Sequence, residues 1–213
     1  MKKALILLLL TFACCFRTVA QGKSETIINE AGYPEMYIQY VPVAMDFGLG
    51  LAGVKSRHNF LDRLVMGGMA YVSETILVNG IKLAVNETRP DGTANNSFPS
   101  GHTATAFTGA ELTRIEYGWG WGGGAYGIAA ATGALRIVHN RHWWWDCVAG
   151  VGIGILSAHI ANWLMPPVQT LLENWGVYSF FGTSRSPVLD NMTLSAVADP
   201  ISGTYGATFA YRF

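Results

Sequence analysis

The chain has 213 residues, half of them apolar, and 14 basic side chains against 14 acidic ones give a formal net charge of +0. That length fills one sizeable core and requires no second domain, while the even charge excludes a binder that holds nucleic acid by bulk positive charge.

Met1-Lys2-Lys3 followed by the apolar run Ala4 to Phe16 reads as a secretory leader, and Thr18-Val19-Ala20 offers a small-residue cleavage site. Residues 1–20 are therefore expected to be a signal peptide; the apolar run is short for an uncleaved anchor. Its removal takes the basic residues from 14 to 11 against 14 acids, a net charge of −3, and takes Cys14 and Cys15 with it. Cys147 is then left without an intrachain partner, most simply as a small packed side chain.

From Gln21 to Glu35 the chain is a polar lead-in broken by Gly32 and Pro34. Met36 to Val54 is apolar but interrupted by Pro42, Asp46 and glycines, which predicts a broken helix. Asn59 is a candidate N-cap, and Leu61, Leu64, Val65, Met69, Val72, Ile76 and Leu77 recur at helical spacing to about Asn79-Gly80. After a polar loop over 91–97, a helix is expected from near Ser100 to about Tyr117. Gly118 to Gly124 (GWGWGGG) reads as a turn or hinge, and Ala125 to Ile137 as a helix of small residues. A last long helix is expected from Arg141 or His142 to about Leu164, stopped by Pro166-Pro167. No charged residue occurs from Cys147 to Leu172, a length that can cross a bilayer. Soluble, embedded and half-embedded arrangements all stay open at this point. The alternation of Tyr205, Ala207, Phe209, Tyr211 and Phe213 predicts a terminal strand. The expected organisation is a leader over 1–20, a helical domain over 21–175, and a C-terminal tail over 176–213.

Three polar clusters carry the chemistry. Lys82 and Arg89 are seven residues apart, two helical turns if the helix persists to Pro90. Pro99-Ser100-Gly101-His102 stands at a helix start, where unbonded amides and the dipole favour an anion; Ser100 adds a hydroxyl and Gly101 admits close approach of the main chain. His142 and Asp146 are at i and i+4, so one helix face would let the carboxylate fix the imidazole tautomer and leave the other nitrogen nucleophilic. A metal pair is the rival reading, but too few ligand-type groups join these two. Trp143, Trp144 and Trp145 suit either core packing or a membrane interface.

Together these clusters resemble the type 2 phosphatidic acid phosphatase superfamily, which includes bacterial acid phosphatases, lipid phosphatases and vanadium haloperoxidases. Lys82-x6-Arg89-Pro90, Pro99-Ser100-Gly101-His102 and Arg136-x5-His142-x3-Asp146 match that family's three motifs in order and spacing. Leu135 departs from it, standing where the family usually has serine. The lost hydroxyl removes one phosphate contact, about 0.5–1.5 kcal/mol for an ordinary hydrogen bond. The resemblance implies an all-α helical bundle, here with a short β-like tail. It also implies that His142 attacks phosphorus to form a phosphohistidine, Asp146 holds its ring, and His102 protonates the leaving group and then activates water. Lys82, Arg89, Ser100, the Gly101 amide and Arg136 would bind the phosphoryl oxygens, with no metal or cofactor.

The expected function is thus a metal-independent phosphomonoesterase of the cell envelope. Its substrate would be a lipid phosphate or diphosphate facing the periplasm, such as phosphatidic acid, phosphatidylglycerophosphate, undecaprenyl diphosphate or lipid A. The alternatives are a soluble nonspecific periplasmic acid phosphatase, a vanadate-dependent haloperoxidase and a noncatalytic anion-binding envelope protein. A phosphate-ester substrate and a membrane are the expected partners, nucleic acid is not, and the oligomeric state is left open.

Overall fold

The computed structural model describes residues 32–184 and 186, and the backbone of 192–199 and 204–211; the leader expected over 1–20 lies outside the described residues. Helices α1 (Glu35–Ile38) and α2 (Val41–Leu51) are the broken helix expected from Met36, with the break just ahead of Pro42. Pro42 falls in the first turn of α2, where its missing N–H has no intrahelical partner to lose. Glu35, expected in the lead-in, instead opens α1 and is buried.

Helix α3 (Phe60–Ala84) starts at Asn59, whose side-chain oxygen accepts the Asp62 N–H at 2.8 Å. It runs four residues beyond the expected end at Gly80, since one glycine inside a helix costs only about 1 kcal/mol. Helix α4 (Gly101–Tyr117) keeps its expected span, and Gly118 ends it at φ 75°.

Helix α5 (Trp119–Val138) corrects the expected hinge, because the GWGWGGG stretch is helical after Gly118. A Cβ at Gly122 would lie 2.9 Å from the Arg114 Cα, so glycine there lets α5 press against the last turn of α4. Helix α6 (Trp144–Asn174) begins after His142 and continues through Pro166 and Pro167, against the expected stop. A proline inside a helix costs about 3 kcal/mol or more. Burial of Met165 and Leu172 on the flanking turns contributes roughly 1.5–3 kcal/mol each, enough to offset much of that cost. Helix α7 (Val177–Phe180) follows.

The strand expected near the C-terminus is β2 (Thr204–Tyr211), paired antiparallel with β1 (Met192–Asp199) from Met192↔Tyr211 to Asp199↔Thr204. The remainder of that expectation, Arg212 and Phe213, lies outside the described residues.

Helix α4 is central and packs against α2, α3, α5 and α6. Its contact with α6 is made by small residues: a Cβ at Gly154 would sit 2.5 Å from the Ala104 carbonyl oxygen and 2.9 Å from the Phe107 Cβ. Farther along α6, Ala158, Ala161 and Met165 join Met66, Ala70, Leu112 and Ile115 in one core cluster. Asp62 ties α3, α6 and α7 together, accepting from Gln169 Nε2 at 2.8 Å and from the Tyr178 hydroxyl at 2.6 Å. Helices α3 and α6 are both long and apolar enough to cross a membrane. Gly154→Val is expected to lower stability by about 1–3 kcal/mol through overpacking. Thermal unfolding of the purified chain checks this, with Gly152→Val as the control because a Cβ there meets nothing.

Candidate active site

The start of α4 rests on the start of α6. The Ser100 N–H donates to the Asp146 carbonyl at 3.0 Å, and a Cβ on Gly150 would come 2.6 Å from the Ser100 carbonyl oxygen. This contact joins the second motif to the third.

His142 precedes α6, with Trp143 as N-cap and Asp146 as the third helical residue. The pair expected on one helix face is therefore built by a capping turn, and it still forms. Asp146 Oδ2 accepts the Trp143 N–H at 2.9 Å, lies 3.3 Å from His142 Nδ1, and also accepts the Ser97 hydroxyl. The chain reaches this turn because Asn140 adopts φ 53° and the Arg136 carbonyl accepts the N–H groups of Arg141 and His142 at 3.0 and 3.2 Å.

Lys82 leaves the last turn of α3, whereas Arg89 lies beyond the helix end, so the two do not share a helix face. They meet through Asn96 instead: its carbonyl accepts Lys82 Nζ at 2.5 Å and its side-chain oxygen accepts Arg89 Nε at 3.1 Å. Arg136, on the last turn of α5, is wholly buried, with Nη1 3.6 Å from Glu35 Oε1. Burial, the largest influence, holds the His142 imidazole down at about 4; the hydrogen bond to Asp146 opposes it, and the charges of Arg136, Lys82 and Arg89 add to it. The ring is therefore neutral at pH 7, with Nδ1–H directed at Asp146 and the lone pair on Nε2.

His102 stands in the first turn of α4, half-buried, with Nε2 3.0 Å from Met36 Sδ. Since Glu35 reaches Arg136, residues 35 and 36 bring His102 and Arg136 to one end of the bundle. The buried Ser100 hydroxyl pairs with Thr103 Oγ1 at 2.9 Å and makes no cap bond. At Gly101 a Cβ would meet only Val78, at an ordinary 3.6 Å, so packing within the chain does not demand glycine there.

His139 and Arg141 are each held by a carboxylate. His139 Nδ1 lies 2.9 Å from Glu35 Oε1, and Arg141 Nη1 donates to Asp91 Oδ2 at 2.6 Å. Burial would raise the Asp91 carboxyl, but bonds from the Thr93 amide and hydroxyl and the Arg141 charge outweigh it and hold it low. Trp143 and Trp145 stack at 5.1 Å and clasp the first-motif loop, donating to the Thr88 carbonyl at 3.0 Å and Glu87 Oε1 at 2.9 Å. Trp144 is 62% exposed beside them. A neutral, oriented imidazole under three cations is an arrangement that can hold a phosphoryl dianion and attack it.

The family model for the PAP2 superfamily, the type 2 phosphatidic acid phosphatases, matches residues 64–169, which hold all three motifs. The chain belongs to the PAP2 superfamily. It is 39% identical over 133 residues to the Lipid A 1-phosphatase of Porphyromonas gingivalis, an alignment covering 59% of this chain and 29% of that protein's length. The crystal structure of Aquifex aeolicus LpxE matches with a TM-score of 0.49 at 24% identity, covering 64% of this chain and 90% of that one.

For a PAP2 chain, the motifs leave out four residues that the fold brings to the site. Asn96 and Ser97 lie in a loop read only as polar, Glu87 lies between two motif positions, and Glu35 is 101 positions from Arg136 in sequence. No spacing rule could have found Glu35. One consequence of the site concerns stability. His142 titrates lower in the fold, at about 4, than its ordinary 6.5, so the unfolded chain binds the extra proton first as pH falls. Stability is complete above pH 6.5 and declines towards pH 4, by roughly 3 kcal/mol at most from this group. Urea unfolding at pH 7 and pH 4.5 is expected to show a smaller acid loss in His142→Gln than in the native chain.

Proposed function

We propose that the chain is a phosphatase of the cell envelope that cleaves a lipid phosphate or diphosphate through a phosphohistidine, without a metal. The observation that carries this reading is the convergence of Lys82, Arg89 and Arg136 on a buried, neutral His142 held by Asp146. A metal's usual task of offsetting phosphate charge falls here to those cations and to the amides at the start of α4.

In the first step His142 Nε2 attacks phosphorus and the bond from phosphorus to the ester oxygen breaks. His102 gives its proton to the departing alkoxide. In the second, neutral His102 takes a proton from water as the water oxygen attacks phosphorus, the N–P bond breaks, and inorganic phosphate leaves with His142 restored. Lys82, Arg89 and Arg136 hold the equatorial oxygens in both steps, with the Gly101 amide as a further donor. Ser100 can join them only if its hydroxyl turns away from Thr103.

Three features support a lipid substrate: the similarity to a lipid A 1-phosphatase, the lengths of α3 and α6, and exposed Trp144 beside the dyad. Lipid A and related lipid phosphates are thus the first substrates to test, and the leader over 1–20 would place the site outside the inner membrane. Purified full-length chain in EDTA is expected to release phosphate faster from one of lipid A, phosphatidic acid, phosphatidylglycerophosphate or undecaprenyl diphosphate than from p-nitrophenyl phosphate. His142→Ala should lose about a thousandfold or more in turnover. Rapid quench should trap acid-labile, base-stable labelled phosphate on the native chain. Because His142 is neutral above about 4, the acid limb of kcat/KM that it sets should fall near that pH. Equal rates on all esters would favour the nonspecific acid phosphatase, bromide oxidation with vanadate and peroxide the haloperoxidase, and undiminished turnover by His142→Ala would overturn the mechanism.

A further inference from the structure

We infer that Ser97 is a positioning residue for the phosphoryl-transfer dyad, acting through Asp146; this rests on the function proposed above. Ser97 is wholly buried, and each of its polar groups reaches a different part of the site. Its N–H donates to the Glu87 carbonyl at 2.9 Å, its carbonyl lies 3.4 Å from Lys82 Nζ, and its hydroxyl donates to Asp146 Oδ2. One side chain and its peptide groups thus connect the end of α3, the first-motif loop and the start of α6.

The chemistry follows from how Asp146 Oδ2 is shared. Three donors address it, and His142 Nδ1, at 3.3 Å, is more distant than the Trp143 amide at 2.9 Å. The carboxylate is therefore held from the protein side, by Ser97 and Trp143, rather than by the ring it orients. A carboxylate so fixed keeps its direction when His142 leaves its resting geometry to bond to phosphorus and when it returns. Donation from Ser97 also draws off charge from Oδ2, so the carboxylate attracts the Nδ1 proton without removing it. Without the hydroxyl, Asp146 keeps only the Trp143 amide on the protein side and can rotate about its side-chain bonds, so the Nδ1–H bond loses its fixed direction and the His142 tautomers mix. Glu87 is also close by: burial, chiefly, and the nearby Asp146 charge raise its carboxyl, while its bond from Trp145 opposes them. A proton taken up by Asp146 or Glu87 would weaken the same network.

The test is a double-mutant cycle on the full-length chain, with the best lipid phosphate from the panel as substrate. Ser97→Ala is expected to lower kcat by about ten- to a hundredfold, the size of a lost bond to a charged group, with KM changed by less than about threefold. In an Asp146→Ala background the same change should have no further effect. Ser97→Thr should restore most of the turnover, and Ser97→Cys, a weak donor of similar size, should lie between. If Ser97→Ala does not fold, the Cys variant carries the comparison. The ¹⁵N shifts of His142 should report a single Nδ1–H tautomer in the native chain and a mixture in Ser97→Ala. Native kcat in Ser97→Ala, independent losses in the cycle, or an unchanged tautomer would overturn the inference. Turnover by His142→Ala would instead overturn the function itself, so the two failures are distinguishable.

Discussion

One carboxylate oxygen sets the geometry of the site. Asp146 Oδ2 takes the Trp143 amide, which fixes where α6 begins, and orients His142, the nucleophile of the proposed mechanism. These two tasks are the same constraint. If α6 began a turn earlier, the Trp143 N–H would be committed to a carbonyl four residues back and His142 would lie inside the helix. An acidic residue in a first helical turn gains only about 0.3–1 kcal/mol from the dipole, less than a buried carboxylate costs without partners. The donors from Trp143, Ser97 and His142 are what make the burial sustainable. The bond from the Ser100 amide to the Asp146 carbonyl then sets α4, and with it His102, against the same turn.

Positive charge is the second constraint. Lys82, Arg89 and Arg136 all act on His142, and two like charges 4 Å apart repel by about 4 kcal/mol at an effective dielectric of 20. The fold relieves this locally: the Asn96 oxygens receive Lys82 and Arg89, and Glu35 lies against Arg136. Glu35 also takes His139, so one acid serves two basic groups at the end of α5. What remains is a cationic environment in which the imidazole stays neutral, suited to a substrate that brings its own negative charge.

Much of this was legible in the sequence, for reasons that differ from residue to residue. Helix α4 could be placed because Ser100 and Gly118 mark both of its ends. The motif residues could be chosen together because their internal spacings matched a known pattern. The elements misread are those where tertiary packing overrides a local signal. GWGWGGG looks like a hinge until Arg114 is seen to require glycine opposite it, and Pro166-Pro167 looks like a stop until the buried face of α6 is seen to continue past it. Lys82 and Arg89 were paired by helical spacing, whereas a loop asparagine brings them together. Ser97 and Glu35 carry no local signal at all, since a polar side chain in a turn or at the start of a short helix has a solvated surface as its default.

The same packing explains how the site is held rigidly at one end of the bundle. Contacts made by Gly150, Gly154, Ala158 and Ala161 bring backbones together by van der Waals fit, which does not require water outside the bundle. Large apolar side chains on the outer faces of α3 and α6, such as Leu64, Ile76, Val148 and Leu156, are then exposed without loosening α4. Polar pairs fix the register that small residues leave loose. Glu116 holds His58 at 2.6 Å, and Glu111 takes the Tyr126 hydroxyl at 2.5 Å and His159 at 2.9 Å. Sliding α4 by one turn would break both sets at once and strand buried carboxylates, each break costing several kcal/mol. The helix whose first turn carries His102 is thus locked along its length, and the distance between the two histidines is set by the bundle rather than by the loops that reach the substrate.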